Sequence, residues 1–174
     1  MKEYIKKFKN LGISVYVIDV KAEKGSRKFH GGRKRNIEDL NLDEYNFLGI
    51  DLKDSGLICL DIEGHLNSVN NFRKFLKDNF IDEENLLLEK TMNNGLHVYF
   101  RNIHDIQNES LWNIYNGIHF DILTRRAFTT PSSFKGKKYE WIGDNFNNMK
   151  KIDDIPSTPN WILDLSKNQT KYYH

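Results

Sequence analysis

The stretch Leu57-Ile58-Cys59-Leu60-Asp61-Ile62-Glu63-Gly64 constrains this chain more than any other. Four apolar residues lead into Asp61 and Glu63, which stand two apart, and Gly64 ends the run. In a strand, side chains at i and i+2 point to one face. Two carboxylates therefore sit side by side at the exit of a strand whose apolar residues read as buried. Like charges that close repel unless a cation or a shared proton compensates them. The pair is a candidate metal site.

A chain of 174 residues is most simply one domain with a substantial core, and 39% hydrophobic with 13% aromatic content argues for a folded protein. The single cysteine, Cys59, excludes an internal disulfide framework and a cysteine-based zinc site, and it reads as a small core residue. With no apolar stretch of bilayer-spanning length and no signal-peptide hydrophobic region, the expected compartment is the cytoplasm, without membrane partners. Residues 1–35 hold eleven Lys or Arg against three acids, so the rest of this chain of net charge +2 is negative. A basic lobe fits contact with phosphates, and it fits an ordinary solvated face.

Along the chain, residues 2–11 pattern as an amphipathic helix with Tyr4, Ile5, Phe8 and Leu11 on one stripe, closed by Gly12. Ile13–Val20 reads as a strand, and Lys21–Arg35 as a basic loop. A helical turn at 37–42, an extended piece at 47–50 and a turn at 53–56 precede the opening strand. Residues 67–80 read as a helix carrying Val69, Phe72, Phe75 and Leu76 inward. Leu86–Glu89 and Leu96–Arg101 form two strands of an antiparallel hairpin around Thr91–Gly95. Residues 103–116 read as a linker and short helix, and 118–123 as a strand. Residues 124–138 carry turn signals, including Pro131, and 139–142 a short aromatic strand. Residues 145–154 read as polar loop, a terminal helix begins near Pro159, and 166–174 is a frayed tail. The expected fold is α+β (mixed α/β), with helices against one face of a sheet.

Asp61, Glu63, His97 and Asp121 each fall on or at the end of a predicted strand. His97 shares a face with Tyr99 and Arg101, while Leu96, Val98 and Phe100 take the other. Asp121 faces away from Phe120 and Ile122. If the strands are neighbours, three carboxylates converge on one or two divalent cations, and oxygen ligands favour Mg2+ or Mn2+. Two such ions clamp the attacking and leaving oxygens in nucleotidyl transfer, while His97 and a basic residue hold a triphosphate.

These motifs resemble, in order, those of the bifunctional DNA primase/polymerase (prim-pol) domain of the archaeo-eukaryotic primase superfamily. Gly56–Gly64 is similar to its first catalytic motif, Thr91–Arg101 to its second, and Gly117–Ile122 to its third. Pro131-Ser132-Ser133 with Gly136–Ile142 resembles the segment after it, and the likeness spans roughly residues 10–143. The resemblance implies a primase-like core with a modified RNA-recognition-like catalytic sheet and an N-terminal α/β unit. It implies one catalytic domain over 1–165: a basic module at 1–55, a core at 56–143 and a closing segment at 144–165. Asp61, Glu63 and Asp121 would bind the metals, and His97 the phosphates of an incoming nucleoside triphosphate. The implied activity is DNA-dependent priming and polymerisation on single-stranded DNA, in replication of a plasmid, phage or other mobile element. A replicative helicase or initiator is the implied partner. Arg101, Arg125, Arg126, Ser132 and Ser133 are further candidates for the nucleotide. Lys28, Arg33, Lys34 and Arg35 are candidates for the DNA backbone. Phe134, Tyr139, Trp141 and Trp161 would stack on bases or pack in the core. The alternatives are a noncatalytic replication module that binds single-stranded DNA or a helicase, and another metal-dependent phosphotransferase or nuclease.

Overall fold

The computed structural model describes residues 1–20, 27–31, 37, 40–167 and 170–171, and begins with helix α1 (Lys2–Asn10). Ile5 and Phe8 are buried, with Glu3 in the first turn and Lys7 and Lys9 in the last, as the helix dipole favours. Gly12, at φ +75°, turns the chain out of the helix. Strand β1 (Val15–Val20) pairs antiparallel with β2 (Arg27–Gly31). Part of the basic segment expected as loop is thus a strand. Backbone groups along the edge of β1 need partners, and the polar composition of 27–31 hides that it supplies them. Lys28 lies on this strand opposite Asp19, whereas Arg33, Lys34 and Arg35 lie outside the described residues.

On its other edge β1 pairs with β3 (Phe47–Asp51). The expected turn at 53–56 is a one-turn helix, α2 (Leu52–Ser55): Asp51 accepts the Asp54 N–H at 3.0 Å, and Gly56 closes it in the left-handed region. The opening strand is β4 (Leu57–Ile62), followed by α3 (Ser68–Asp78), β5 (Leu87–Lys90) and β6 (Leu96–Arg101). Within 103–116, where a linker and short helix were expected, runs β7 (Ser110–Tyr115). Asn116 and Gly117, both at positive φ, turn it tightly into β8 (Ile118–Leu123).

Next, β9 (Arg126–Thr129) leaves for the first sheet and pairs with β3. A small hairpin of β10 (Ser133–Phe134) and β11 (Lys137–Lys138) precedes β12 (Glu140–Ile142). The expected polar loop at 145–154 holds α4 (Asn145–Asn148) and a 3-10 turn, Ile152–Asp154, because Phe146 and Met149 are buried there. Helix α5 (Asn160–Lys167) and β13 (Thr170–Lys171), paired with β7, occupy part of the tail expected to fray.

The strands make a four-stranded sheet, β2-β1-β3-β9, and a seven-stranded one, β12-β5-β6-β4-β8-β7-β13. The fold is α+β, with β4 at the middle of the larger sheet. One face of that sheet, through Ile58, Leu60, Val98, Phe100, Phe120 and Ile122, packs on Phe72 and Leu76 of α3 and Ile162 and Leu165 of α5. Its other face contributes Leu57, Cys59, Leu87 and Tyr99 to a second core with α1 and the smaller sheet. The smaller sheet draws its fourth strand from 126–129, so residues 1–55 do not make it alone. No described helix is long and apolar enough to cross a membrane.

Candidate active site

Register builds the site. β4 pairs antiparallel with β6 so that Asp61 faces His97, and with β8 so that Asp61 faces Asp121. The five-residue turn 91–95 sets β5 against β6 with Glu89 opposite His97. Directly opposed residues share a face, so Glu89, His97, Asp61 and Asp121 form one row across four strands. Glu63 continues the same face beyond β4, its N–H donating to the His119 carbonyl at 3.0 Å. The glycine of the motif follows from packing: a Cβ on Gly64 would stand 1.8 Å from the Asn93 carbonyl oxygen. One on Gly95 would stand 2.3 Å from that of Ile62, so the exit of β4 and the turn before β6 are locked backbone to backbone.

The row runs from sealed to open. Glu89 is fully buried. Its Oε1 accepts from Tyr99 Oη at 2.8 Å, and its Oε2 from Thr129 Oγ1 at 2.6 Å and from the Thr130 N–H and hydroxyl at 2.7 Å each. His97, also buried, lies between two acids: Nδ1 is 3.2 Å from Glu89 Oε1 and Nε2 is 3.5 Å from Asp61 Oδ1. Burial opposes its charge, but the hydrogen bonds and negative charge of Asp61 and Glu89 prevail and hold its pKa up at about 9. It is an imidazolium at neutral pH, and the Tyr139 ring covers it with centroids 5.7 Å apart. Burial pushes the Cys59 thiol and the Tyr99 and Tyr139 phenols up, so none of them ionises near neutrality.

Asp61 and Glu63 are half-buried, with side chains 31% and 35% exposed. Asp121 Oδ1 accepts the Trp112 N–H at 2.7 Å. Burial raises its pKa, that hydrogen bond opposes, and Asp61, Glu63 and Glu109 add to the rise, giving about 6. Asp121 thus sits in negative potential that the face itself does not neutralise. Among the described residues, no three His, Cys, Asp or Glu side chains stand close enough to hold a metal ion in their present positions. The donor chemistry nevertheless fits one: carboxylate oxygens on adjacent strands, partly open, with excess negative charge between them.

Other candidates lie elsewhere. The Arg101 guanidinium donates to the Ile155 carbonyl at 2.8 Å and Ser157 Oγ at 2.9 Å, tethering the C-terminal segment. Arg125 and Arg126 follow β8 at the end remote from Glu63, and Arg126 lies over the Tyr16 ring. Ser132 is buried and stitched to Leu48, accepting its N–H at 2.8 Å and donating to its carbonyl at 3.0 Å, so its hydroxyl cannot serve a nucleotide. Ser133 is exposed at the start of β10. Trp141 stacks on Phe146 at 4.3 Å, Trp161 packs on Phe72 and Phe75, and Phe134 lies against Phe47; these rings build cores. Glu89, Thr129 and Thr130 complete the site without having been singled out in the sequence. Counting the hairpin register outward from the 91–95 turn places Glu89 opposite His97; nothing local places the threonines.

No protein-family model matches the chain, and no curated protein is found to be similar to it.

Proposed function

We propose that this chain is a metal-dependent nucleotidyltransferase of the primase/polymerase kind, with its larger sheet serving as a primase-like catalytic sheet. The observation that carries this reading is the cross-strand row of His97, Asp61 and Asp121 with Glu63 at its open end. Asp61, Glu63 and Asp121 would hold magnesium or manganese. When bound, such ions stabilise negative charge on the attacking and leaving oxygens of an in-line phosphoryl displacement. A 3′-hydroxyl would give up its proton to solvent and form a new bond to the α-phosphorus of a nucleoside triphosphate, while the bond from that phosphorus to the oxygen bridging to the β-phosphate would break and pyrophosphate would leave. His97, fixed as a cation by Asp61 and Glu89, offsets charge on the polyphosphate side. Glu89 keeps the ring from turning. Template single-stranded DNA, a replicative helicase or initiator as partner, and a cytoplasmic setting complete the proposal.

In a synthesis assay on single-stranded DNA with magnesium or manganese, wild-type protein should start or extend chains. Asp61→Ala with Glu63→Ala should lower the product below about one hundredth of wild type while cooperative unfolding is retained. Undiminished synthesis by the double variant would reject the assigned centre. A noncatalytic DNA-binding module is the second reading, favoured by the lack of three gathered ligands among the described residues. DNA binding without metal, with no incorporation even beside a helicase, would select it.

A further inference from the structure

We infer that the groove between α1 and the segment after α4 binds the sugar-phosphate backbone of a single nucleic-acid strand that passes to or from the row of Asp61 and His97. This rests on the single-stranded DNA partner of the nucleotidyl-transfer reading and adds a surface outside the motifs and outside the basic segment at 21–35. The groove measures about 390 Å3, and its walls include Glu3, Lys6, Lys7, Met149 and Lys150.

Position ties the groove to the site. Cys59, Leu87 and Tyr99 pack with Ile5 and Phe8 of α1. Each stands two residues from Asp61, Glu89 or His97 on its own strand, so α1 covers the sheet face that carries the row. A second cavity, about 360 Å3, has Tyr139 in its wall beside Tyr4 of α1 and Asn147, and the Tyr139 ring covers His97. Lys7 Nζ donates to the Asn147 carbonyl at 2.9 Å, so the wall of the groove is bonded to the wall of this second cavity. Lys138 and Glu140 in that wall pair with each other at 3.1 Å and add little net charge.

Charge selects the occupant. Among the described residues of the groove wall, three lysines meet one acid, Glu3. Asp154, the acid next to them in the chain, commits its Oδ2 to the Lys150 and Lys151 N–H groups at 2.8 and 3.1 Å. Lys7 is held by a carbonyl and by the Phe146 ring, 4.7 Å from its Nζ, rather than by a carboxylate, and partial burial lowers its pKa. A phosphate here would replace the water that this ammonium has lost. Ile5 and Phe8, the apolar stripe of α1, are buried, so the helix has no apolar face to insert into lipid. A nucleic-acid strand suits the groove better, since it brings one phosphate per step along an extended path. Lysines hold such a backbone as point charges, without reading its bases.

The probe is a labelled oligothymidylate of about 20 nucleotides. Its anisotropy is followed as whole protein is added in metal-free buffer, from about 50 to 200 mM NaCl. Lys6→Gln with Lys150→Gln should reduce the slope of log K against log salt by about 1.4, the release expected for two contacts to a single strand, and weaken low-salt binding at least about tenfold. Glu3→Gln should tighten binding. Lys74→Gln with Lys77→Gln makes the same change of charge on α3, across the sheet from α1, and should alter neither quantity. All five side chains are exposed, and thermal unfolding verifies that the variants fold. An unchanged slope in the Lys6 and Lys150 variant, an equal loss in the α3 variant, or no binding by wild type overturns the groove. Because the measurement needs neither metal nor turnover, a reduced slope beside absent synthesis removes only the nucleotidyl-transfer reading. Synthesis with an unchanged slope removes only the groove.

Discussion

His97 is the residue on which the physics of the site converges. A neutral imidazole in the core would cost little; this one is charged because a sealed carboxylate lies on one side and a half-open one on the other. Its pKa of about 9, against an ordinary 6.5, means that folding takes up a proton. A raised value stabilises the fold fully below the unfolded pKa, and the gain is lost as pH rises through the folded one. Metal-free protein should therefore lose on the order of 3 kcal/mol of stability between about pH 6.5 and pH 9. Urea unfolding across that range measures it, with His97→Gln flattening the profile; a wild-type profile that is already flat would show that His97 is not charged. Asp61, Glu63, His97 and Asp121 were legible in the sequence because their chemistry contradicts their surroundings: charged groups punctuating apolar strands. Glu89 was less legible. It ends a run of leucines, and only its register against His97 reveals it.

At the scale of elements, the turn at 91–95 and the exit of β4 behave as one piece. Asn93 O and Ile62 O occupy the space where side chains of Gly64 and Gly95 would go. Gly64→Ala should therefore push the two backbones apart, lowering stability by about 1–3 kcal/mol and weakening synthesis beyond what that loss explains. A urea midpoint equal to wild type would mean that the interlock yields freely. Strands with dense β-branched or alternating residues, such as Ile13–Val20 and Leu96–Arg101, declared themselves in sequence. β7 did not: its Ser110–Tyr115 run carries a bulge, and Leu111 and Trp112 face water, which breaks the period-two pattern. The Asn116-Gly117 dipeptide after it was the better signal, since both residues take the positive φ of a tight hairpin. β9 was hidden for another reason. Its partner β3 lies far back in the chain, and pairing at that distance leaves no local trace.

For the whole molecule, the carboxylates of the larger sheet make an unsatisfied demand for positive charge. A divalent cation that binds only the folded state relieves it and stabilises the protein by mass action. At one hundred times its dissociation constant the gain is about 2.7 kcal/mol, which scanning calorimetry would read as roughly 5–10 °C for a domain of this size. Magnesium or manganese should produce this shift in wild type and much less in Asp121→Asn. An unmoved midpoint at millimolar concentrations of either ion would count against a metal centre on this face.

The Glu89 carboxylate takes its oxygen-bound donors from two places: Tyr99 in the larger sheet, and Thr129 and Thr130 at the end of the strand that returns to the smaller one. On a ribosome the row from Asp61 to His97 emerges first, and the threonines follow about thirty residues later. Until they arrive, Glu89 lacks three of the donors that replace its water in the folded protein. Nascent chains halted before residue 129 should leave this charged face wet, so burial of the acid follows synthesis of the strands that carry the row, and Tyr139 closes over His97 later still.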